Sequence, residues 1–229
     1  MKEVIFDIKT VGYDLDSFDE YQKEYLFRYA NLEETDEKRQ QKHDEVVRFL
    51  NLSALTAQVV AIGFYDINKS KGLVLFQSDK KEHYYSEDKV FTFHSGNEKY
   101  LIEKFWEIIN QYDRIISFNG RNFDAPFLLL RSAVLKIKPT KNLISNRFDS
   151  KTHCDLLEQF TFYGLTRKFS LDFYCKAFGI ESSKRGEVTG YNINEVFRMK
   201  RYNEIADYCG KDLLATKELY LIYKNYLEF

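Results

Sequence analysis

The sequence predicts an α/β fold, a mixed and partly antiparallel β-sheet flanked by helices. Three observations carry this expectation. The chain opens on Val4-Ile5-Phe6-Asp7-Ile8-Lys9-Thr10-Val11-Gly12, where apolar and polar positions alternate with a period of two. A second apolar run, Ile115-Ile116-Ser117-Phe118, ends in Asn119-Gly120, and Asp124 follows where a helix would begin. The C-terminal tail is strongly helical in pattern.

The first strand places Ile5, Asp7 and Lys9 on one face and Val4, Phe6 and Ile8 on the other. An Asp inside such a run is costly to bury without a partner or a metal, although an Asp that caps a turn is the plainer alternative. In the charged segment 13–53, Ser17-Phe18-Asp19-Glu20 has capping-box spacing. Phe18, Tyr21, Tyr25 and Tyr29 then recur at helical spacing, which predicts a helix over 18–30 and a more polar one over 33–49. Residues 58–65 predict a buried strand, 66–72 a turn, 73–76 its antiparallel partner and 89–94 the third strand of a meander. Ser95-Gly96-Asn97 opens a helix with Tyr100, Leu101, Phe105, Ile108 and Ile109 as its apolar stripe.

A strand over 114–118 delivers Asn119 and Asp124 at its C-terminal end, where open α/β sheets place ligands. A helix over 125–136 follows. Residues 137–168 are expected to be irregular or shortly helical and are rich in Lys and Arg. Ser170 is placed to cap a helix that stops at Gly179. A polar loop is expected over 181–191, then helices over 193–200 and 202–226, the last placing Tyr208 and Asp212 on one face.

With 229 residues, 44% hydrophobic and 17% aromatic, the chain can bury a substantial core. Pro126 and Pro139 are the only prolines, so no Pro-rich linker divides it and a single domain is expected. Cys154, Cys175 and Cys209 are odd in number and widely spaced, which argues against a disulfide framework and for a reducing compartment. No charged-then-apolar leader and no membrane-length apolar run is seen, so a soluble, cytoplasmic protein is expected. The net charge of −1 hides an asymmetry: residues 13–53 hold 11 acidic and 6 basic side chains, and residues 131–201 hold 14 basic and 7 acidic. The basic group is either a phosphate-binding face or a set of solvated helix surfaces.

Asp7-x-Lys9, Asn119 with Phe123-Asp124, and Tyr208-x-x-x-Asp212 stand in this order along the chain. Here the sequence resembles the DEDD superfamily of 3'–5' exonucleases, which are DnaQ-like with a ribonuclease H-like fold. That family's motifs read Asp-x-Glu, Asn-x-x-x-(Phe/Tyr)-Asp and Tyr-x-x-x-Asp. The resemblance spans 1–229 as one exonuclease-like domain with a charged helical insertion at about 13–53. It is strongest to stand-alone bacterial proteins similar to the proofreading domain of family-B DNA polymerases. His153-Cys154-Asp155-Leu156, Ser170-Leu171-Asp172 and Ala206-Asp207-Tyr208-Cys209 carry that part of it. The four histidines, His43, His83, His94 and His153, lie away from the position of the family's His variant, so the resemblance is to the Tyr branch (DEDDy).

The resemblance implies a Mg²⁺- or Mn²⁺-dependent 3'–5' exonuclease acting on single-stranded 3' ends of DNA or RNA. It implies Asp7 bridging two ions, Asp212 holding the water-activating ion, Asp124 serving the second, and Tyr208 orienting or helping to deprotonate the water. Clustered carboxylates suit such hard cations. It also implies contacts of Thr10 and Asn119 with the terminal nucleotide, with ordinary turn roles as the alternative. The insertion would then either cover the nucleic-acid channel or pack at the sheet edge.

Lys9 departs from the family, which has Glu there. A protonated Lys has three donors and no acceptor, so it does not ligate a metal, and the site's formal charge falls from −4 to −2. Three accounts stay open: a weakened or dead exonuclease, an active one in which Lys9 stabilises the phosphate beside a single ion, or an introduced substitution. A non-catalytic module binding nucleic acid or protein, and a nucleotidase, are the competing classes. A Walker-type Gly loop is missing from the sequence, which counts against a nucleoside triphosphatase.

Overall fold

The computed structural model describes residues 1–181 and 187–228, so the expected polar loop 181–191 falls in part outside the described residues. Seven strands form one sheet: β1 (Glu3–Gly12), β2 (Ala57–Asp66), β3 (Lys71–Gln77), β4 (His83–Tyr85), β5 (Phe91–Gly96), β6 (Arg114–Ser117) and β7 (His153–Asp155). Their order is β4-β5-β3-β2-β1-β6-β7, which places β1 inside the sheet. The helices are α1 (Glu20–Phe27), α2 (Asp36–Phe49), α3 (Glu98–Ile109), α4 (Asp124–Val134), α5 (Leu156–Phe160), α6 (Leu171–Ala177), α7 (Ile193–Arg198) and α8 (Tyr202–Tyr226). This is the α/β fold with a mixed sheet that the sequence predicts.

The alternation in β1 divides the core into two layers. Val4, Phe6 and Ile8 pack with Phe105, Trp106 and Ile109 of α3 and with Phe127 and Leu128 of α4. Ile5 packs on the opposite face with Cys209, Leu213 and Leu219 of α8. Asp7 and Lys9 share this second face, so both lie under α8. Burial of these apolar stripes, at roughly 25 cal/mol per Å², is the main force that fixes α3 and α8 on the sheet. All three cysteines are buried and unbridged. No helix among the described residues is long and apolar enough to cross a membrane.

Four sequence expectations change. Strand β5 pairs with β3 in parallel, not as the third strand of a meander, because the short edge strand β4 intervenes in the chain and pairs antiparallel with β5. Strand β7 lies in the stretch expected to be irregular and pairs in parallel with β6. Ser17 does not cap α1: its hydroxyl donates to the Asp14 carbonyl at 2.6 Å. Asp19 caps instead, accepting the Gln22 N–H at 2.7 Å while the Gln22 side chain accepts the Asp19 N–H at 3.0 Å. Finally, the 13–53 segment is not at a sheet edge. It leaves the end of the interior strand β1 and reaches α7 through Arg198 with Asp14 at 2.6 Å, and the residues just before α7 through Arg48 over the Tyr191 ring.

Candidate active site under the C-terminal helix

The site is built where β1 runs past the end of β6. The parallel pairing of the two strands covers Glu3 to Ile5. Further along, the Ile8 N–H is taken by the Asp124 carboxylate, which accepts it at 2.9 Å. Asp124 is the first residue of α4, where the positive end of the helix dipole favours a carboxylate. Pro126 follows within the same first turn, where its missing N–H costs no helical hydrogen bond.

The turn that delivers Asp124 is held by a residue the motifs do not include. Buried Asp155, at the end of β7, accepts the N–H groups of Asn119 at 2.8 Å and Arg121 at 2.9 Å. Asn119 adopts a left-handed φ of +64°, a conformation Asn tolerates better than most residues. Its side-chain oxygen accepts from Asn122 at 3.2 Å. Gly120 is required because a Cβ there would stand 2.4 Å from the Ser117 hydroxyl.

Helix α8 completes the site. Tyr208 and Asp212, one turn apart, face β1 together. The Lys9 ammonium lies 2.8 Å from Asp7 Oδ2, is hydrogen-bonded to Asp212 Oδ2, and sits 4.3 Å from the centroid of the Tyr208 ring. An ammonium has three donors and attracts the face of an aromatic ring, so one lysine satisfies two carboxylates under an aromatic cover. The Cys209 thiol lies 3.6 Å from Asp7 Oδ2.

The electrostatics follow from burial in so small a space. Burial pushes the Asp7 carboxyl above its ordinary range, with Lys9 opposing and Asp212 adding to the shift. Burial and the charge of Asp7 push Asp124 well above that range. For Lys9, burial favours the neutral amine, but the carboxylates of Asp212 and Asp7 prevail and hold the ammonium well above its ordinary value. Lys9 draws the Tyr208 phenol down, yet burial and the Asp212 and Asp7 carboxylates outweigh it and push the group up to about 12. At neutral pH the Tyr208 phenol therefore keeps its proton.

The structure thus brings Asp7, Asp124, Asp212 and Tyr208 together, with Lys9 among them. Thr10 is not part of the group: it lies on the other face of β1 and donates its hydroxyl to the Asn51 carbonyl at 2.6 Å. Asn119 stands at the turn, where its N–H is held by Asp155. Asp155 lies in the His153–Leu156 stretch that carries the resemblance, but its role in holding the Asn119 turn was not read from the sequence.

The donor set does not fit a pair of divalent ions. Asp7 and Asp212 each turn an oxygen to Lys9, and Asp124 turns one to a backbone N–H. Among the described residues, no group of three or more His, Cys, Asp or Glu is arranged to hold a metal. Part of the basic excess in 131–201 is taken up in ion pairs. Arg131 pairs with Glu98, Arg147 with Glu158, Lys176 with Asp172, Lys200 with Asp79 and Arg201 with Glu204. Arg167 and Lys168 instead are exposed before α6, with Arg167 over the Phe169 ring.

Comparison with known proteins bears on the family and the fold. The chain is similar to DNA polymerase 1 of Sulfolobus acidocaldarius, at 29% identity over 113 residues, which is 44% of this chain and 13% of the polymerase. Its fold is similar to the family B DNA polymerase of Pyrobaculum calidifontis, with a TM-score of 0.61 and 15% identity, over 97% of this chain and 24% of that one. The chain therefore spans a quarter or less of either polymerase, and the shared part has the ribonuclease H-like fold. The family described as predicted 3'–5' exonucleases related to the exonuclease domain of PolB matches residues 48–228, a stretch that contains Asp124, Tyr208 and Asp212 but not Asp7 or Lys9. By that match, the chain belongs to the PolB-related family of exonuclease-like proteins.

Proposed function

We propose that the chain binds the 3' end of single-stranded nucleic acid at this site and holds it without efficient hydrolysis. The carrying observation is the Lys9 ammonium, fixed between Asp7 and Asp212 beneath Tyr208. It ties up the carboxylates of Asp7 and Asp212, and an ammonium has no acceptor with which to activate water. Asp7 and Asp212 hold Lys9 in place, and Asp155 holds the turn that carries Asp124. Exposed Arg167 and Lys168 lie on the segment entering α6, whose Tyr174 ring meets Phe118, the neighbour of Asn119. They offer the phosphates of the strand a contact beside the site.

A second reading, a slow metal-dependent 3'–5' exonuclease, is favoured by the convergence of three costly carboxylates and Tyr208. A pure binding module has no need of them.

One experiment separates the two. A 3'-labelled single strand, as DNA and as RNA, is incubated with Mg²⁺ or Mn²⁺ and wild type, Lys9→Glu or Asp124→Ala. The binding reading expects wild type to retain the strand intact and to release it as salt rises, as phosphate contacts require. It also expects Lys9→Glu to gain hydrolysis by rebuilding the fourth carboxylate. Hydrolysis by wild type that Asp124→Ala abolishes would establish the exonuclease instead. Binding that does not change with salt would sink the nucleic-acid reading.

A further inference from the structure

Two short segments, 145–149 and 161–164, meet at the surface on either side of β7 and α5. The Phe148 ring stands edge-on to Tyr163 at 4.9 Å, and the Tyr163 hydroxyl donates to the Phe148 carbonyl at 3.4 Å. Arg147 bridges the same segments by donating to the Tyr163 carbonyl at 3.2 Å. Within the second segment Phe162 and Tyr163 take left-handed φ values of +50° and +60°, followed by Gly164 at +98°. Side chains of this bulk rarely adopt that region, and such strain persists only where contacts over-determine it. Here the Tyr163 N–H donates to the Glu158 carbonyl at 2.7 Å, and Gln159 donates to the Tyr163 hydroxyl at 3.1 Å. The result tucks Tyr163 in and leaves Phe162 49% exposed, while Phe148 is 69% exposed.

This surface is fastened to the candidate site. The Arg121 guanidinium donates to the Ser145, Asp149 and His153 carbonyls at 3.2, 2.8 and 2.7 Å. Arg121 itself belongs to the turn that runs from Asn119 to Asp124. Pairing leaves the surface basic. Between residues 141 and 170, Asp155 and Glu158 are buried, and Asp149 accepts from the Thr152 hydroxyl at 2.6 Å and the Lys151 N–H at 3.0 Å. Glu158 lies 3.4 Å from Arg121 and 2.9 Å from Arg147, so two cations share one anion. Arg147 keeps 53% of its side chain exposed, and Lys151, Arg167 and Lys168 are exposed as well. The stretch turns basic heads and aromatic rings to solvent, and none of its carboxylates is exposed. A second copy meeting the first through this surface would set one basic patch against another, because a two-fold interface is self-complementary. An unpaired nucleic-acid strand brings phosphates for the cations and flat bases for the rings.

We propose that Phe148 and Phe162 form a stacking subsite for the unpaired bases that precede the 3' end, with Arg147 and Lys151 on their phosphates. The subsite selects single strands, since the base faces of a duplex are already covered by their neighbours. This inference rests on the reading of the 3'-end site given above.

The test measures fluorescence anisotropy of 5'-labelled strands in EDTA, so that none is cut. The probes are oligothymidylates of about 4 and about 12 nucleotides, spanning common single-strand site sizes. A long strand that is abasic except at its 3' end, and a blunt duplex, complete the set. Wild type should bind the long strand about tenfold or more tighter than the short, the part-abasic or the duplex probe, from stacking alone. Phe148→Ala and Phe162→Ala, both at exposed positions, should each weaken the long strand about tenfold and leave the short and part-abasic strands as in wild type. Phe148→Trp should restore the long strand. Lys151→Ala should lower the salt slope by about one. Equal affinity for the long and part-abasic strands would overturn the subsite, and so would duplex bound as tightly as single strand. A long strand unaffected by both alanine variants would do the same, and in each case binding of the short strand would leave the 3'-end reading standing. Failure of every strand to bind would remove both. A wild-type dimer that Phe148→Ala converts to monomer would give the surface to a second copy and overturn the inference.

Discussion

Gly63 stands directly opposite Asp7 in the β1–β2 ladder, and its missing side chain is what lets α8 reach the strand. A Cβ on Gly63 would lie 2.6 Å from Leu213 Cδ1 and 2.7 Å from the Cys209 sulfur. Both residues belong to the helix that brings Tyr208 and Asp212 to Lys9. Gly63→Ala should therefore cost about 1–3 kcal/mol through overpacking, read by urea unfolding. It should also weaken 3'-end binding, because α8 moves away from Asp7. A variant as stable as wild type would show that α8 is free to shift.

Lys9→Met removes the ammonium and leaves Asp7 and Asp212 buried without their partner. Breaking a buried ion pair in this way typically costs about 3–5 kcal/mol, and a loss of that size is expected at pH 7.5. Without Lys9, the Asp7 carboxyl loses the charge that opposes its upward shift, and its folded-state pKa rises further above the unfolded value. Stability is then lost as pH rises through it and regained as Asp7 protonates, so the gap to wild type should narrow near pH 5. Urea titrations at the two pH values check this; a gap that widens at pH 5 would contradict the pairing.

His153 is buried, and burial draws its pKa down from 6.5 to about 4. Its Nδ1 faces the Leu143 carbonyl at 3.0 Å, so Nδ1 carries the proton and Nε2 accepts from the Ser117 hydroxyl at 2.8 Å. The unfolded chain binds a proton below pH 6.5 that the folded chain refuses until about pH 4. Stability should thus fall as pH drops through this window, by roughly 3 kcal/mol from this group. His153→Gln should flatten that part of the stability–pH curve. A slope identical in wild type and variant would remove His153 from the account.

Asp155 positions the turn that carries Asp124, so its loss should be felt in stability and at the site together. Asp155→Asn replaces one of the two accepting oxygens with a donor, which then faces the N–H of either Asn119 or Arg121. Hydrogen bonds to a charged group are worth about 1.5–3 kcal/mol, and a loss in that range is expected on chemical denaturation. Oligonucleotide binding should weaken in parallel. Full-strength binding by a destabilised variant would separate the turn from the site.

Much of this architecture was legible from residue order. The alternation in β1 gave both core layers and put Asp7 and Lys9 on one face, because a strand period of two survives any tertiary context. The spacing of Tyr208 and Asp212 gave their common helix face for a similar reason. What escaped lies in short or competing signals. Strand β7 has three residues, too few to show a period, and with it went the role of Asp155. Two capping patterns overlap at Ser17 and Asp19, and only the folded turn shows that Ser17 is already spent on Asp14. The aromatic stripe over 18–29 has core spacing, yet it faces a groove, since spacing alone does not say what lies opposite. Thr10 sits in line beside Lys9 but on the far face, where it serves the Asn51 carbonyl.

The lysine in the carboxylate cluster has a consequence at the level of the coding sequence. Lysine and glutamate codons differ only in their first base, an adenine in one and a guanine in the other. A single transition therefore separates this site from one bearing four carboxylates on the same backbone. The supports for that alternative, Gly63 under α8 and Asp155 under the Asn119 turn, are already in place. On the proposed reading, that one base is what separates retaining a strand from cutting it, with no rebuilding of the fold.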